Sequence, residues 1–188
     1  MPPKVKITKE NIVNAALNIV RKDGAAALNA RSLAAAIGCS TQPLFSNFSS
    51  MEELDAEVIK TAYELYIGFI NAEIERGEYP IYKAYGRAYI RFASEERELF
   101  KLLFMRDRRG EDISPTPDFD ASVKMIMEAN GFERERAELF HLEMWSVAHG
   151  IATMLATSFL SLDEWVISRM LSDAYSGIRR VHLEEVDK

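Results

Sequence analysis

Apolar residues recur along this 188-residue chain at helical spacing almost from end to end. Ile12, Ala16, Ile19 and Val20 stand at i, i+4, i+7 and i+8, the stripe of an amphipathic helix. Thr8 can cap its start and Gly24 follows its end, so a first helix is predicted over residues 9–22. A short second helix, 30–37, follows Asn29 as N-cap and stops at Gly38. The third, 41–48, has Ser40 as N-cap and Pro43 in its first turn, where a missing N–H removes no helix bond. Ser50 and Glu53 have the spacing of a capping box for a long fourth helix, 51–76, with Leu54, Val58, Ala62, Leu65 and Phe69 on one face.

Gly77 and Pro80 break the pattern, and further helices are predicted at 81–93, 95–106 (capped by Ser94), 120–130, 133–158 and 163–185. Ser161 and Glu164 offer the last of these a capping box. Residues 107–119, with one glycine and two prolines, are the one long loop-like segment. No period-two alternation and no repeat appears, so the fold class is all-α with about nine helices. The division expected is an N-terminal three-helix domain, 1–50, and a larger C-terminal helical domain, 51–188, joined through the long fourth helix.

Composition changes this picture little: 48% apolar and 28% charged residues are those of an ordinary globular protein. A single cysteine, Cys39, excludes an intramolecular disulfide framework and a multi-cysteine zinc site, and fits a reducing cytoplasm. The N-terminal residues lack the apolar core of a signal peptide. Residues 145–162 are long and uncharged enough to raise a membrane span, but their serines, threonines, histidine and glycine favour a buried helix and no membrane partner. Charge is unevenly distributed. The net charge of −6 divides into +4 over residues 1–49 and −10 over the remainder, a hint that the N-terminal end faces nucleic acid.

The second and third helices supply a reason. Leu33, Ile37, Leu44, Phe45 and Phe48 fall on faces that would meet each other and the first helix, Ala34 is small at the crossing, and Gly38 gives the turn its backbone freedom. This is the pattern of a helix-turn-helix, whose second helix enters the DNA major groove. Thr41, Gln42, Pro43, Ser46 and Asn47 are the residues left outward, and the free helix N-terminus with Ser40 beside it is suited to a phosphate. Gln and Asn amides can pair with adenine, and Pro43 or the Thr41 methyl can touch a thymine methyl. The same spacing also suits a scaffold cluster, or a domain that contacts another protein.

Residues 11–59 resemble the N-terminal domain of the TetR family of transcriptional regulators. The match rests on Ile12, Ala15-Ala16-Leu17, Gly24, the "ARSLA" of the second helix, Gly38, Ser40, "LFSNF" and "SSMEEL". "WSVAHGIA", with Trp145, His149 and Gly150, is similar to a pattern in one branch of that family. The resemblance implies a homodimeric repressor that binds a palindromic double-stranded operator and responds to a small-molecule effector, with no cofactor and no enzymatic activity. Phe45 stands where many relatives carry a tyrosine that meets a phosphate, and Ser49 and Met51 stand where lysines are common. Lys4, Lys6 and Lys9 on the N-terminal arm, with Arg31, are the cations left for the DNA backbone, so a shallow salt dependence is expected.

By the same resemblance, residues 60–188 would bind the effector and form the dimer. Candidate cavity residues are the aromatic Tyr66, Phe69, Tyr85, Tyr89 and Phe104, then Met125, Met144, Trp145 and His149. Each suits plain core better than a ligand wall, and as a lining they would favour a flexible apolar effector. The last helix repeats Ile167, Leu171, Ala174, Ile178 and Val181 in steps of four and three, a packed helical seam. With Ile151 and Leu155 it would make a four-helix dimer interface, or else an internal seam. Glu138 and His141 have the spacing of a di-iron bundle ligand pair, but the second pair such a site requires is missing, so no metal and no enzyme is expected.

Overall fold

The computed structural model describes residues 7–107, 109 and 117–184, and among these it is all-helical. Nine α-helices follow in order: α1 Lys9–Asp23, α2 Ala30–Ile37, α3 Gln42–Asn47, α4 Met51–Arg76, α5 Ile81–Glu95, α6 Arg97–Phe104, α7 Pro117–Asn130, α8 Arg134–Ala156 and α9 Glu164–Glu184, with one 3-10 turn at Ala25–Ala27. Lys4 and Lys6 lie outside the described residues. The chain forms two compact units. One comprises Met1–Ile67 with Glu96–Arg106, the other Gly68–Glu95 with Asp107–Lys188.

In the first unit, α1 is closed at its start by a reciprocal box: the Asn11 N–H donates to Thr8 Oγ1 and the Thr8 N–H to Asn11 Oδ1. Its buried stripe is Ile12, Val13, Ala16, Leu17 and Val20. Asn29 caps α2 by accepting both the Arg31 and Ser32 N–H at 3.0 Å, while Ser32 Oγ accepts the Asn29 N–H. Gly38 ends α2 in the left-handed region at φ 75°, which permits the sharp turn into α3. Leu33, Ala34, Leu44 and Phe48 are buried, so α1, α2 and α3 share one core. α6 packs against α1, with Arg21 Nε 2.7 Å from Glu96 Oε2.

Several local expectations shift. Thr41 rather than Ser40 occupies the N-cap position of α3, and it makes no side-chain cap bond. Ser50 Oγ accepts the Glu53 N–H, but the Glu53 carboxylate turns one residue further back, to Ser49 N–H at 2.6 Å and Ser49 Oγ at 2.7 Å. Those bonds, the Ser49 N–H first, hold the Glu53 carboxyl down to about 2. Ser94 lies inside α5 and Glu96 precedes α6. For α9, Asp163 Oδ1 accepts the Val166 N–H at 2.9 Å, taking the role expected of Ser161. Phe45 is the largest departure: at 51% exposure it faces outward, not into the core.

In the second unit, α8 packs along α5, α7 and α9, and its core face is Ala137, Phe140, Met144, Ala148, Ile151, Ala152, Leu155 and Ala156. α4 continues its buried stripe through Tyr66, Ile70 and Glu73 instead of Leu65 and Phe69. Glu73 is the surprise in that stripe. Its carboxylate is almost wholly buried and is held by Arg87 Nε at 2.9 Å, Arg76 at 3.1 Å and Arg91 at 3.2 Å. An ion cannot leave water at such a site without partners of this number and geometry. No helix among the described residues is long and apolar enough to cross a membrane.

Candidate nucleic-acid interface

The turn at Gly38 and the burial of Leu44 and Phe48 fix which side of α3 points out. Gln42, Phe45 and Ser46 are exposed, at i, i+3 and i+4, and so share one face of α3; Ser49, beyond the helix end, is exposed as well. Ser40 is exposed as well, and Thr41, Pro43 and Asn47 are half-buried at its edges. The polar members are not equivalent. Ser46 Oγ donates to the Gln42 carbonyl at 2.9 Å, and Asn47 Nδ2 donates to the Pro43 carbonyl at 2.8 Å. Both side chains therefore turn part of their donor capacity back into their own helix. The Gln42 amide has no partner among the described residues and keeps its full edge for a ligand.

The cations sort in the same way. Arg31, exposed at the start of α2, makes no ion pair among the described residues. Lys9 does: its Nζ sits 3.3 Å from Glu53 Oε1 and 4.9 Å above the Phe48 ring. It is thus tied to its own chain rather than held ready for a phosphate. Phe45 is the residue that the sequence pattern misassigned. Its apolar character suggested core, and only the position of the α2–α3 turn reveals that Leu44 and Phe48 already fill the inner face.

The profile of the tetracyclin repressor-like C-terminal domain matches residues 82–171. An uncharacterized HTH-type transcriptional regulator of Bacillus subtilis, YobS, is 21% identical over 174 residues, covering 90% of each chain. Together these likenesses support membership in the TetR family. A transcriptional regulator of that family is the role they support, and DNA binding would follow from the family. The family points away from an enzyme. A structure of a protein with unknown function from Rhodococcus sp. RHA1 shares the fold, with a TM-score of 0.73 at 21% identity and 96% and 98% coverage of the two chains.

The second unit holds most of the candidate effector residues. Tyr89 and Met144 are buried, and Phe69, Tyr85, Met125 and His149 are half-buried. Tyr89 Oη lies 2.8 Å from His149 Nδ1, and the Trp145 ring stacks on His149 with centroids 4.8 Å apart. Phe69 meets Phe92 edge-on at 5.3 Å. Tyr66 and Phe104 belong to the first unit, where they pack edge-on at 5.3 Å. Burial holds the His149 imidazole below its usual range and pushes the Tyr89 hydroxyl up, so both are neutral at physiological pH.

A second tyrosine–histidine pair repeats the arrangement along α5 and α8: Tyr82 Oη lies 3.0 Å from His141 Nδ1. Glu138 is drawn instead to Arg134 at 2.7 Å, so the two residues of the Glu-x-x-His spacing do not act together. No group of three or more metal-ligating side chains occurs among the described residues.

The seam residues divide. Ile151, Leu155, Ile167 and Leu171 are buried within the chain's own core. Ala174, Ile178 and Val181 line an open surface depression with Val147 and Gly177. Leu139 and Leu142, each 52% exposed, Trp145 at 41% and Val181 at 51% leave apolar surface on α8 and α9 that the described residues do not cover.

Proposed function

We propose that this regulator is a ligand-responsive repressor that binds a palindromic operator as a homodimer in the cytoplasm. Residues 1–50 read the DNA, and residues 51–188 bind the effector and dimerise. The observation that carries the reading is the outward face of α3, where Gln42 and its neighbours stand uncovered after a glycine turn, with Arg31 unpaired nearby. Lys4, Lys6 and Arg31 meet phosphates, Ser40, Thr41 and Pro43 flank the groove, and Gln42 reads a base edge, with Ser46 and Asn47 as acceptors.

Dimerisation is supported by the apolar surface that α8 and α9 leave bare. Ile178 and Val181 lie at its centre, and the buried Ile151, Leu155, Ile167 and Leu171 stiffen the helices beneath. An added Cβ at Gly177 would meet nothing within 4 Å, so this chain alone leaves room there for a second helix. The effector would be an apolar molecule lodged in the second unit among Phe69, Tyr85, Tyr89, Met125, Met144, Trp145 and His149. It derepresses by binding one conformation more tightly than the other, since equal affinity would shift nothing.

Selection of genomic fragments by the purified full-length protein tests this reading. The bound fragments should share a two-fold motif with half-sites about 34–36 Å apart, or a multiple of that spacing. Gln42→Ala should lower discrimination among fragments, and Val181→Asp should yield a folded monomer by sedimentation with weakened operator binding. Fragments without a common motif would overturn the reading of α3.

A further inference from the structure

We infer that Phe45 is a specificity-determining residue that reads a thymine methyl in each operator half-site; this rests on the proposed entry of α3 into the major groove. An isolated exposed apolar side chain is ordinary on a protein surface. Phe45 is not isolated from function. It lies three residues after Gln42 and one before Ser46, in the middle of the only face that α3 turns outward. Leu44 and Phe48 occupy the inner face at 2% and 3% exposure, so Phe45 is not displaced core.

The donors around it decide what it can recognise. Guanine presents two acceptors in the major groove and requires donors, while adenine requires a donor and an acceptor together. Ser46 has committed its hydroxyl hydrogen to the Gln42 carbonyl, and Asn47 has turned its amide nitrogen to the Pro43 carbonyl. Only the Gln42 amide keeps both of its N–H donors and its acceptor uncommitted. A face with one intact amide and one large ring cannot read several successive pairs through hydrogen bonds. The remaining distinctive group in the groove is the C5-methyl of thymine, which an apolar side chain recognises by contact. Phe45 has no hydroxyl to bond a phosphate and no polar atom to serve any other base edge. The expected half-site therefore pairs a thymine beneath Phe45 with a neighbouring base read by Gln42.

The test uses the full-length protein and a selected operator duplex in which thymines are replaced one at a time by deoxyuridine, which removes only the methyl. One replacement in each of the two half-sites should weaken wild-type binding by about fifteen-fold, about four-fold for each buried methyl. Phe45→Ala should bind the thymine duplex more weakly and become indifferent to that replacement, whereas Phe45→Leu should keep part of the sensitivity. Circular dichroism confirms that the variants fold, as an exposed position allows. Deoxyuridine with no effect at any position, or with an equal effect on wild type and Phe45→Ala, overturns this inference while continued operator binding leaves the proposed function standing. Failure of the wild type to bind any selected duplex overturns both.

Discussion

Polar side chains in the first unit mostly bond to neighbours in sequence, whereas the second unit adds to such local bonds a set that crosses the fold. Thr8 pairs with Asn11, Asn29 with Ser32, Ser46 with the Gln42 carbonyl, and Asn47 with the Pro43 carbonyl. Longer-range exceptions include the ion pairs Lys9–Glu53 and Arg21–Glu96. In the second unit Glu73 binds Arg87, Tyr82 faces His141, Tyr89 faces His149, Lys83 donates to Ser168 and Ser172, and His182 meets Glu143. The first unit uses polar groups to shape short helices and keeps its outer surface for a partner. The second uses them to fix which helix lies beside which. Local bonds should therefore be individually dispensable, and the cross-helix ones should not.

The sharpest way to break that comparison is at Glu73. Its carboxylate, 1% exposed, is shared by three arginines, and Arg87 is itself 9% exposed. Glu73→Gln leaves those guanidinium groups without their common anion, and losing one partner of a buried pair costs about 3–5 kcal/mol. Urea unfolding should show that loss as a lower midpoint. The control is Lys9→Ala in the first unit, whose exposed pair with Glu53 should be worth less than about 1 kcal/mol. Equal effects of the two would erase the distinction between the units.

His141 sharpens the same point through pH. Burial pushes its imidazole down to about 4, beneath Tyr82 and the edge of the Phe119 ring. The unfolded chain takes up a proton at about 6.5, where the folded protein does not. The stabilisation is complete above that value and is lost as pH falls from about 6.5 toward about 4, with a slope of up to about 1.4 kcal/mol per pH unit for one proton. His149, also held low by burial, acts with the same sign. His141→Gln keeps an acceptor for Tyr82 but cannot titrate, so unfolding midpoints measured across that window should lose about one proton of pH dependence. An unchanged slope would place the acid sensitivity elsewhere.

What could be read from the residues follows the same line. The helix order, Thr8 and Asn29 as caps, and Gly38 as the turn are local signals, and the structure has them where the pattern put them. Phe45 was misplaced because hydrophobicity reports only that a residue is apolar. Whether an apolar residue near a tight turn faces in or out depends on the angle at which α3 leaves Gly38. Asp163 was missed as the α9 cap because Ser161 and Glu164 have the better sequence motif, and the helix starts two residues later than that motif requires. Glu73 was unreadable for a different reason. A glutamate on a 26-residue helix is ordinarily solvated, and only three arginines arriving from α4 and α5 make its burial tolerable.

The smallest expected effect tests the local side of the comparison. Asn29 accepts two first-turn N–H groups of α2, and the Ser32 hydroxyl returns a bond to the Asn29 N–H. Asn29→Ala removes the acceptor for both amides, which are exposed enough for water to replace part of the loss. The cost should be about 1 kcal/mol, typical of an N-cap, and Asn29→Ser should restore most of it. Because α2 positions α3 only through Gly38 and the Leu33–Ala34 face, the loss should appear as lower stability of the first unit, with operator preference retained. A loss as large as that of Glu73→Gln would mean that the cap holds the whole three-helix cluster together. The local bonds would then be as indispensable as the cross-helix ones.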